Sequence, residues 1–80
     1  MLSGTQIRMA RVALHWKIDD LAEKTGLPWA RLQKVERSNA IPDVPGETMV
    51  RLRQIFEEAG VVFTDATDAT EPGVTLRKAG

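Results

Sequence analysis

Apolar residues recur every three or four positions over most of the first 60 residues, which is the spacing of amphipathic helices. The pattern predicts four helices, over residues 4–16, 18–25, 28–38 and 47–60. Ser3 and Gln6 match a capping box at the start of the first helix, and Gly26 is placed to end the second. The segment NAIPDVPG contains two prolines and a glycine, so it predicts a loop before the fourth helix.

Each predicted helix has an apolar stripe that we expect to face a common core. The predicted inward-facing residues are Ile7, Ala10 or Arg11, Leu14, Leu21, Ala22, Leu32, Val35, Met49, Leu52, Ile55, Phe56 and Ala59. We also expect Trp16, at the end of the first helix, to pack in the core near the fourth. A chain of 80 residues is near the low end of what buries a self-sufficient core, so a partner chain is expected to help.

After Gly60 the pattern changes to two short runs rich in β-branched residues, VVFT and GVTLRK, joined by the polar segment DATDATEPG. These runs predict a two-stranded β-hairpin over residues 61–80, following a helical domain over residues 1–60. An isolated hairpin is marginally stable in water, so it should pack on the helices, pair with a second copy, or do both. The residues predicted to form the dimer contact are Val61, Val62, Phe63, Val74 and Leu76.

Charge is distributed unevenly along a chain whose net charge is zero. Residues 1–42 contain seven basic and four acidic residues, whereas residues 43–80 contain four basic and seven acidic residues. Only the first half is therefore expected to follow a phosphate backbone.

The residues needed for several kinds of chemistry are missing from the sequence. There is no cysteine and one histidine, which argues against disulfides, thiol catalysis and zinc sites. There is no Ser-His-Asp set and no phosphate-cradling glycine loop, so we expect neither an enzyme nor a cofactor or metal. The sequence shows no long apolar run and no secretory signal, which predicts a cytoplasmic protein without membrane contact.

Three stretches, RMARVALHWKIDDLAEKTGL, ARLQKVER and RLRQIFEEAGVVF, resemble the Cro/C1-type (XRE) family of small prokaryotic and phage transcriptional regulators. The resemblance covers about residues 4–63, and GVTLRK is similar to the end of the short, hairpin-ending members. It implies a mainly α, four-helix helix-turn-helix domain with a C-terminal hairpin, in which the third helix enters the major groove of DNA. The implied function is a sequence-specific DNA-binding transcriptional regulator. Chain size and the exposed hairpin edge predict that it acts as a homodimer, a repressor on a pseudo-palindromic operator in the nucleoid.

The resemblance also assigns roles to residues at the helix-turn-helix. Trp29, Ala30, Gln33 and Lys34 match base-contacting positions, whereas Arg31 and Arg37 are better placed for phosphates. Three positions depart from the family pattern: Lys17 and Ile18 stand where a hydroxyl or Asn cap followed by Gln is usual, and Pro28 replaces a Ser or Thr cap. The predicted DNA-binding set is therefore Lys17, Pro28, Trp29, Ala30, Arg31, Gln33, Lys34 and Arg37. The alternative is that these charges form an ordinary solvated face.

Arg11 and Glu36 align with a pair that forms a salt bridge between the first and third helices of family members. We expect the same structural pair here, the alternative being two unrelated surface charges. Trp29 lies off the buried stripe, so we expect it to be exposed to DNA or to a protein partner, unless it folds back into the core.

A second class of function keeps the fold but not DNA binding: a protein-interaction module, such as an antitoxin or a phage anti-regulator, with Trp29 as an anchor. RNA polymerase is a further possible partner, since activators of the family contact it through the second helix. The acidic residues there are Asp19, Asp20 and Glu23. Surface acids that favour the helix dipole are the preferred interpretation of those three residues.

Overall fold

The computed structural model describes residues 2–78, and these form four α-helices followed by an antiparallel β-hairpin. The elements are α1 (Gly4–Ala13), α2 (Ile18–Thr25), α3 (Trp29–Arg37), α4 (Gly46–Glu58), β1 (Val61–Thr64) and β2 (Gly73–Leu76). The chain is about half helical, with a radius of gyration of 12.1 Å. The predicted mainly α architecture with a C-terminal hairpin is confirmed.

The ends of the elements follow local chemistry. Ser3 and Gln6 form the predicted capping box, because the Ser3 hydroxyl accepts from the Gln6 N–H and the Gln6 amide oxygen accepts from the Ser3 N–H. The first helix was predicted to reach residue 16, but it ends at Ala13 because His15 adopts a left-handed conformation with φ 59°. This turn brings Trp16 back toward α1, and the backbone N–H of Trp16 donates to the Arg11 carbonyl at 3.0 Å.

Within residues 2–78, ten apolar residues form the core, and they come from every helix, from β1 and from the segment just before α1. They are Leu2, Ile7, Ala10, Leu21, Leu32, Val35, Met49, Leu52, Phe56 and Val61. Trp16 stacks on Phe56 at 5.7 Å between ring centroids, as expected for a residue packing near α4. Ala59 was predicted to face inward but is exposed, because α4 ends one residue earlier, at Glu58.

The hairpin is built into the helical core. Its strands pair with Val61 opposite Leu76 and Phe63 opposite Val74, and they pack on α1 and α4. Val61 is 1% exposed, so its predicted role at a dimer contact is wrong: the side chain is enclosed by its own protomer. The predicted hairpin element extended to residue 80, and residues 79–80, like Met1 of the predicted helical domain, lie outside the described range.

No helix within residues 2–78 has both the length and the apolar character needed to cross a membrane.

Candidate nucleic-acid interface

A short turn joins α2 to α3. Gly26 ends α2 with φ 74°, and its N–H donates to the Ala22 carbonyl at 2.8 Å. The Thr25 hydroxyl accepts from the Leu27 N–H at 3.2 Å. Pro28 then starts α3 by accepting, at its carbonyl, from the N–H groups of Arg31 and Leu32, each at 3.1 Å. These bonds fix the direction in which α3 leaves the turn.

Lys17 and Asp20 define the start of α2. The Asp20 carboxylate accepts from the Lys17 N–H at 2.7 Å, so Asp20 serves as a cap for the helix. The Lys17 ammonium stays at the surface, and Asp19 and Glu23 are exposed beside it. Asp20 therefore has a structural role within its own helix.

The surface of α3 divides cleanly into a buried and an exposed side. Leu32, Val35 and Glu36 are buried. At 100° per residue, the other side chains span an arc of about 200° around the helix axis. In order around that arc they are Trp29, Gln33, Arg37, Ala30, Lys34 and Arg31, of which Gln33 is half-buried and the others are exposed. All six α3 residues predicted to contact DNA lie on one continuous surface, which we call the α3 face.

Trp29 and Arg31 occupy the two edges of the α3 face. Trp29 is 45% exposed, so it does not fold back into the core. Pro28 and Lys17, the remaining members of the predicted set, are exposed as well. The structure therefore leaves the whole predicted set accessible to a large partner.

The ion pair predicted between Arg11 and Glu36 is present, with Arg11 Nη2 at 2.8 Å and Nε at 2.8 Å from the two carboxylate oxygens. Arg11 Nη1 also donates to the Trp16 carbonyl at 2.9 Å. The hydrogen bond that Arg11 donates to the Glu36 carboxylate raises the pKa of Arg11, and burial opposes this shift only in part. Glu36 is buried, and its negative charge is balanced by Arg11. The α3 face therefore contains the cations Arg31, Lys34 and Arg37 and no exposed carboxylate.

A groove of about 700 Å³ runs along the Arg31 edge of α3. Its other wall is the segment that leads from α3 to α4. The lining residues are Ala30, Arg31, Lys34, Val35, Ser38, Ile41, Pro42, Asp43 and Val44. This wall was not predicted, although an apolar residue in a proline-rich loop, Ile41, was a possible signal in the sequence. The Ile41 side chain is 53% exposed.

The packing roles of two further residues were also not predicted: Gly4 supports α3, and Gln6 supports the hairpin. Gly4 packs so closely on the end of α3 that an added Cβ would collide with the carbonyl oxygens of Val35 and Ser38. Gln6 is 4% exposed, and its Nε2 donates to the carbonyls of Thr64 and Gly73 at 3.1 and 3.2 Å. Gly4 lies in the first turn of α1, where the backbone does not require a glycine. The sequence around it therefore gives no sign of its close contact with α3.

The remaining residues predicted to form a dimer contact differ in accessibility. Val62 and Leu76 are 40% and 48% exposed, whereas Phe63 and Val74 are half-buried against the core. On the neighbouring α1, Met9 is exposed, and its methyl group lies 4.0 Å from where a Cβ on Gly73 would stand. Val62 and Leu76 are thus the members of the predicted set with the most surface to offer a second copy.

Among residues 2–78, no group of three or more His, Cys, Asp or Glu side chains is arranged to hold a metal ion. No protein-family model, curated protein or solved structure matches this chain.

Proposed function

We propose that this protein is a sequence-specific DNA-binding regulator in which α2, the turn at Gly26 and α3 act as a helix-turn-helix. The observation that carries the proposal is the α3 face, which combines three cations with polar and apolar side chains and no exposed carboxylate. Glu36, which would oppose a phosphate, is buried against Arg11. In this arrangement α3 lies in the major groove and α2 crosses the backbone.

The side chains of the α3 face suit different parts of DNA. Lys34 donates to guanine N7 and O6, Gln33 pairs with adenine, and Ala30 and Trp29 contact thymine methyl groups. Arg31, Arg37 and Lys17 are the phosphate contacts, and they orient the domain without reading sequence. Pro28 fixes the start of the helix that presents these groups.

The active form in this proposal is a homodimer. The exposed Val62 and Leu76 and the free hairpin edges form the contact, in place of the buried Val61. Two α3 helices about 34 Å apart then read a pseudo-palindromic site across one turn of DNA. Such a dimer represses by occluding a promoter, and it resides on chromosomal DNA in the cytoplasm.

Selection of bound DNA from a random pool tests the proposal directly, at about 50 mM and about 200 mM salt. We expect enrichment of a site with two symmetric halves. Three phosphate-contacting cations per protomer make six in the dimer. A plot of the logarithm of the association constant against the logarithm of the salt concentration should therefore have a slope of about −5. A pool that shows no enrichment at either salt concentration would contradict the proposal.

A matched pair of variants assigns the binding to the α3 face. Lys34→Ala should weaken binding to the selected site by roughly tenfold or more, because it removes a base contact. Arg51→Ala, which removes an exposed cation on α4, should leave affinity nearly unchanged. Equal effects from the two variants would show that general positive charge, and not α3, carries the binding.

The exposed ring of Trp29 favours a second candidate, a protein-interaction module that keeps the same fold. Trp29 lies at the edge of the α3 face, where it can enter a pocket on another protein. In that case the chain folds but enriches no DNA, and Lys34→Ala changes no DNA interaction. The selection experiment therefore separates the two candidates.

A further inference from the structure

The groove beside α3 has an uneven distribution of charge. Arg31 and Lys34 form its cationic wall, and both are exposed. Val35 and Val44 contribute apolar surface, while Asp43 lies on the opposite wall. The groove volume of about 700 Å³ is within the range of sites that bind a ligand or a short peptide turn. Its occupant should therefore be a compact segment with carboxylates on one side and small apolar groups beside them.

The loop between β1 and β2 has this chemistry. Residues 65–72 contain Asp65, Asp68 and Glu71, no basic residue and two alanines. The acidic side chains are exposed. We call this segment the acidic loop.

The tip of the acidic loop is held in one conformation by its own hydrogen bonds. The Thr67 hydroxyl accepts from the N–H groups of Ala69 and Thr70 at 3.2 and 3.0 Å. The Thr67 N–H donates to the Thr70 carbonyl at 2.9 Å. A preformed turn loses little conformational entropy when it binds, so less of the attraction is spent on ordering the loop.

We infer that the groove beside α3 binds the acidic loop of a second copy of this chain. Asp68 and Glu71 then lie against Arg31 and Lys34, and Ala69 covers the apolar surface at Val44. Asp43 repels the carboxylates from the opposite wall and so fixes the orientation of the loop. A second copy supplies the loop because, within one protomer, no residue of the acidic loop lines the groove.

This contact joins two different surfaces, so it either pairs reciprocally across a two-fold axis or extends from copy to copy, according to the rotation between the copies. It also covers Arg31 and Lys34. If the proposed DNA binding holds, self-association and DNA binding therefore compete for α3. The self-association itself does not depend on DNA binding, so either can fail without the other.

Complementation between two variants tests the inference. The groove variant is Arg31→Gln with Lys34→Gln, and the loop variant is Asp68→Asn with Glu71→Gln. All chains also contain Leu76→Ser, an exposed position, which weakens the hairpin contact proposed above. Sedimentation velocity measures association of each chain alone and of the mixture, at about 0.05 M and about 0.5 M salt.

We expect the Leu76→Ser parent to associate at low salt and to dissociate at high salt. Each variant alone should associate roughly tenfold or more weakly, since each lacks one surface. Their mixture should form a heterodimer, because the groove variant keeps an intact loop and the loop variant keeps an intact groove.

The control is Arg8→Gln with Arg51→Gln, which changes the net charge as the groove variant does but at exposed positions outside the groove. It should associate like the parent. A parent that stays monomeric at low salt, a mixture that associates no better than its components, or a control as weak as the groove variant would each overturn the inference.

Discussion

Arg11 and Glu36 join α1 to α3 through a two-pronged ion pair from which most solvent is excluded. The Arg11 and Glu36 side chains are 15% and 5% exposed, and the shortest hydrogen bonds between them are 2.8 Å. Because Arg11 also binds the Trp16 carbonyl, one guanidinium holds the end of α1, the following turn and α3 together. The pair fixes the orientation of the α3 face and removes a negative charge from it.

Glu36→Ala should lower the free energy of unfolding by about 2–3 kcal/mol, because it leaves the Arg11 guanidinium desolvated without its partner. Urea unfolding measures this change. The control is Arg53→Ala, which breaks the exposed pair of Arg53 and Glu57 and should change stability by less than about 1 kcal/mol. Similar losses in the two variants would show that the buried pair has no special role.

The pH dependence of the same pair follows from the raised pKa of Arg11. A raised pKa in the folded state contributes stability below the unfolded pKa, and this is lost only as pH rises through the folded pKa. Since arginine stays protonated to above about pH 12, its coupling to Glu36 in a double-mutant cycle should be equal at about pH 7 and about pH 10.

Gly4→Ala should destabilise the fold by about 2 kcal/mol or more, since the new methyl group meets backbone oxygens of Val35 and Ser38 that cannot move independently of α3. The matched control is Gly46→Ala at the start of α4, where nothing lies within 4 Å of the added atom. That substitution should be neutral or slightly stabilising. Thermal unfolding of both variants distinguishes a steric effect from the general effect of replacing glycine.

Gln6→Ala should loosen the hairpin from the helices and cost about 2 kcal/mol, because two carbonyls of the hairpin lose their donor. Hydrogen exchange at Thr64 and Val74 should accelerate more than exchange at Leu52 in α4. Gln54→Ala, at an exposed site on α4, serves as the control. Uniform acceleration across the chain would mean that Gln6 acts on global stability and not on the hairpin in particular.

The two tryptophans should respond differently to substitution and to solvent. Trp29→Phe should change stability by less than about 1 kcal/mol, whereas Trp16→Ala should cost about 2–3 kcal/mol through the lost stack on Phe56.

Iodide should quench Trp29 fluorescence more strongly than that of Trp16, which Lys24 also covers at 4.8 Å. Equal quenching in the single-tryptophan chains Trp16→Phe and Trp29→Phe would contradict the observed exposure of Trp29.

The sequence by itself determined the secondary structure and most of the core. The capping box at Ser3, the stop at Gly26 and the apolar repeats of α3 and α4 depend on residues a few positions apart, so they can be predicted without knowing the fold. The same periodicity placed Leu32 and Val35 inside and left Trp29 outside. It extended α1 too far, because no local pattern indicates that His15 turns the chain.

Only the tertiary structure decided which surfaces are free and which distant groups meet. Val61, Gly4 and Gln6 owe their roles to segments distant in sequence that pack together. The groove at Asp43 owes its shape to the way in which the loop after α3 folds beside that helix. A strand pattern cannot distinguish a residue that faces its own core from one that faces a partner, and no local rule brings Gly4 against the end of α3. The sequence therefore determined the elements through short-range hydrogen bonding and periodicity, whereas long-range packing decided the interfaces.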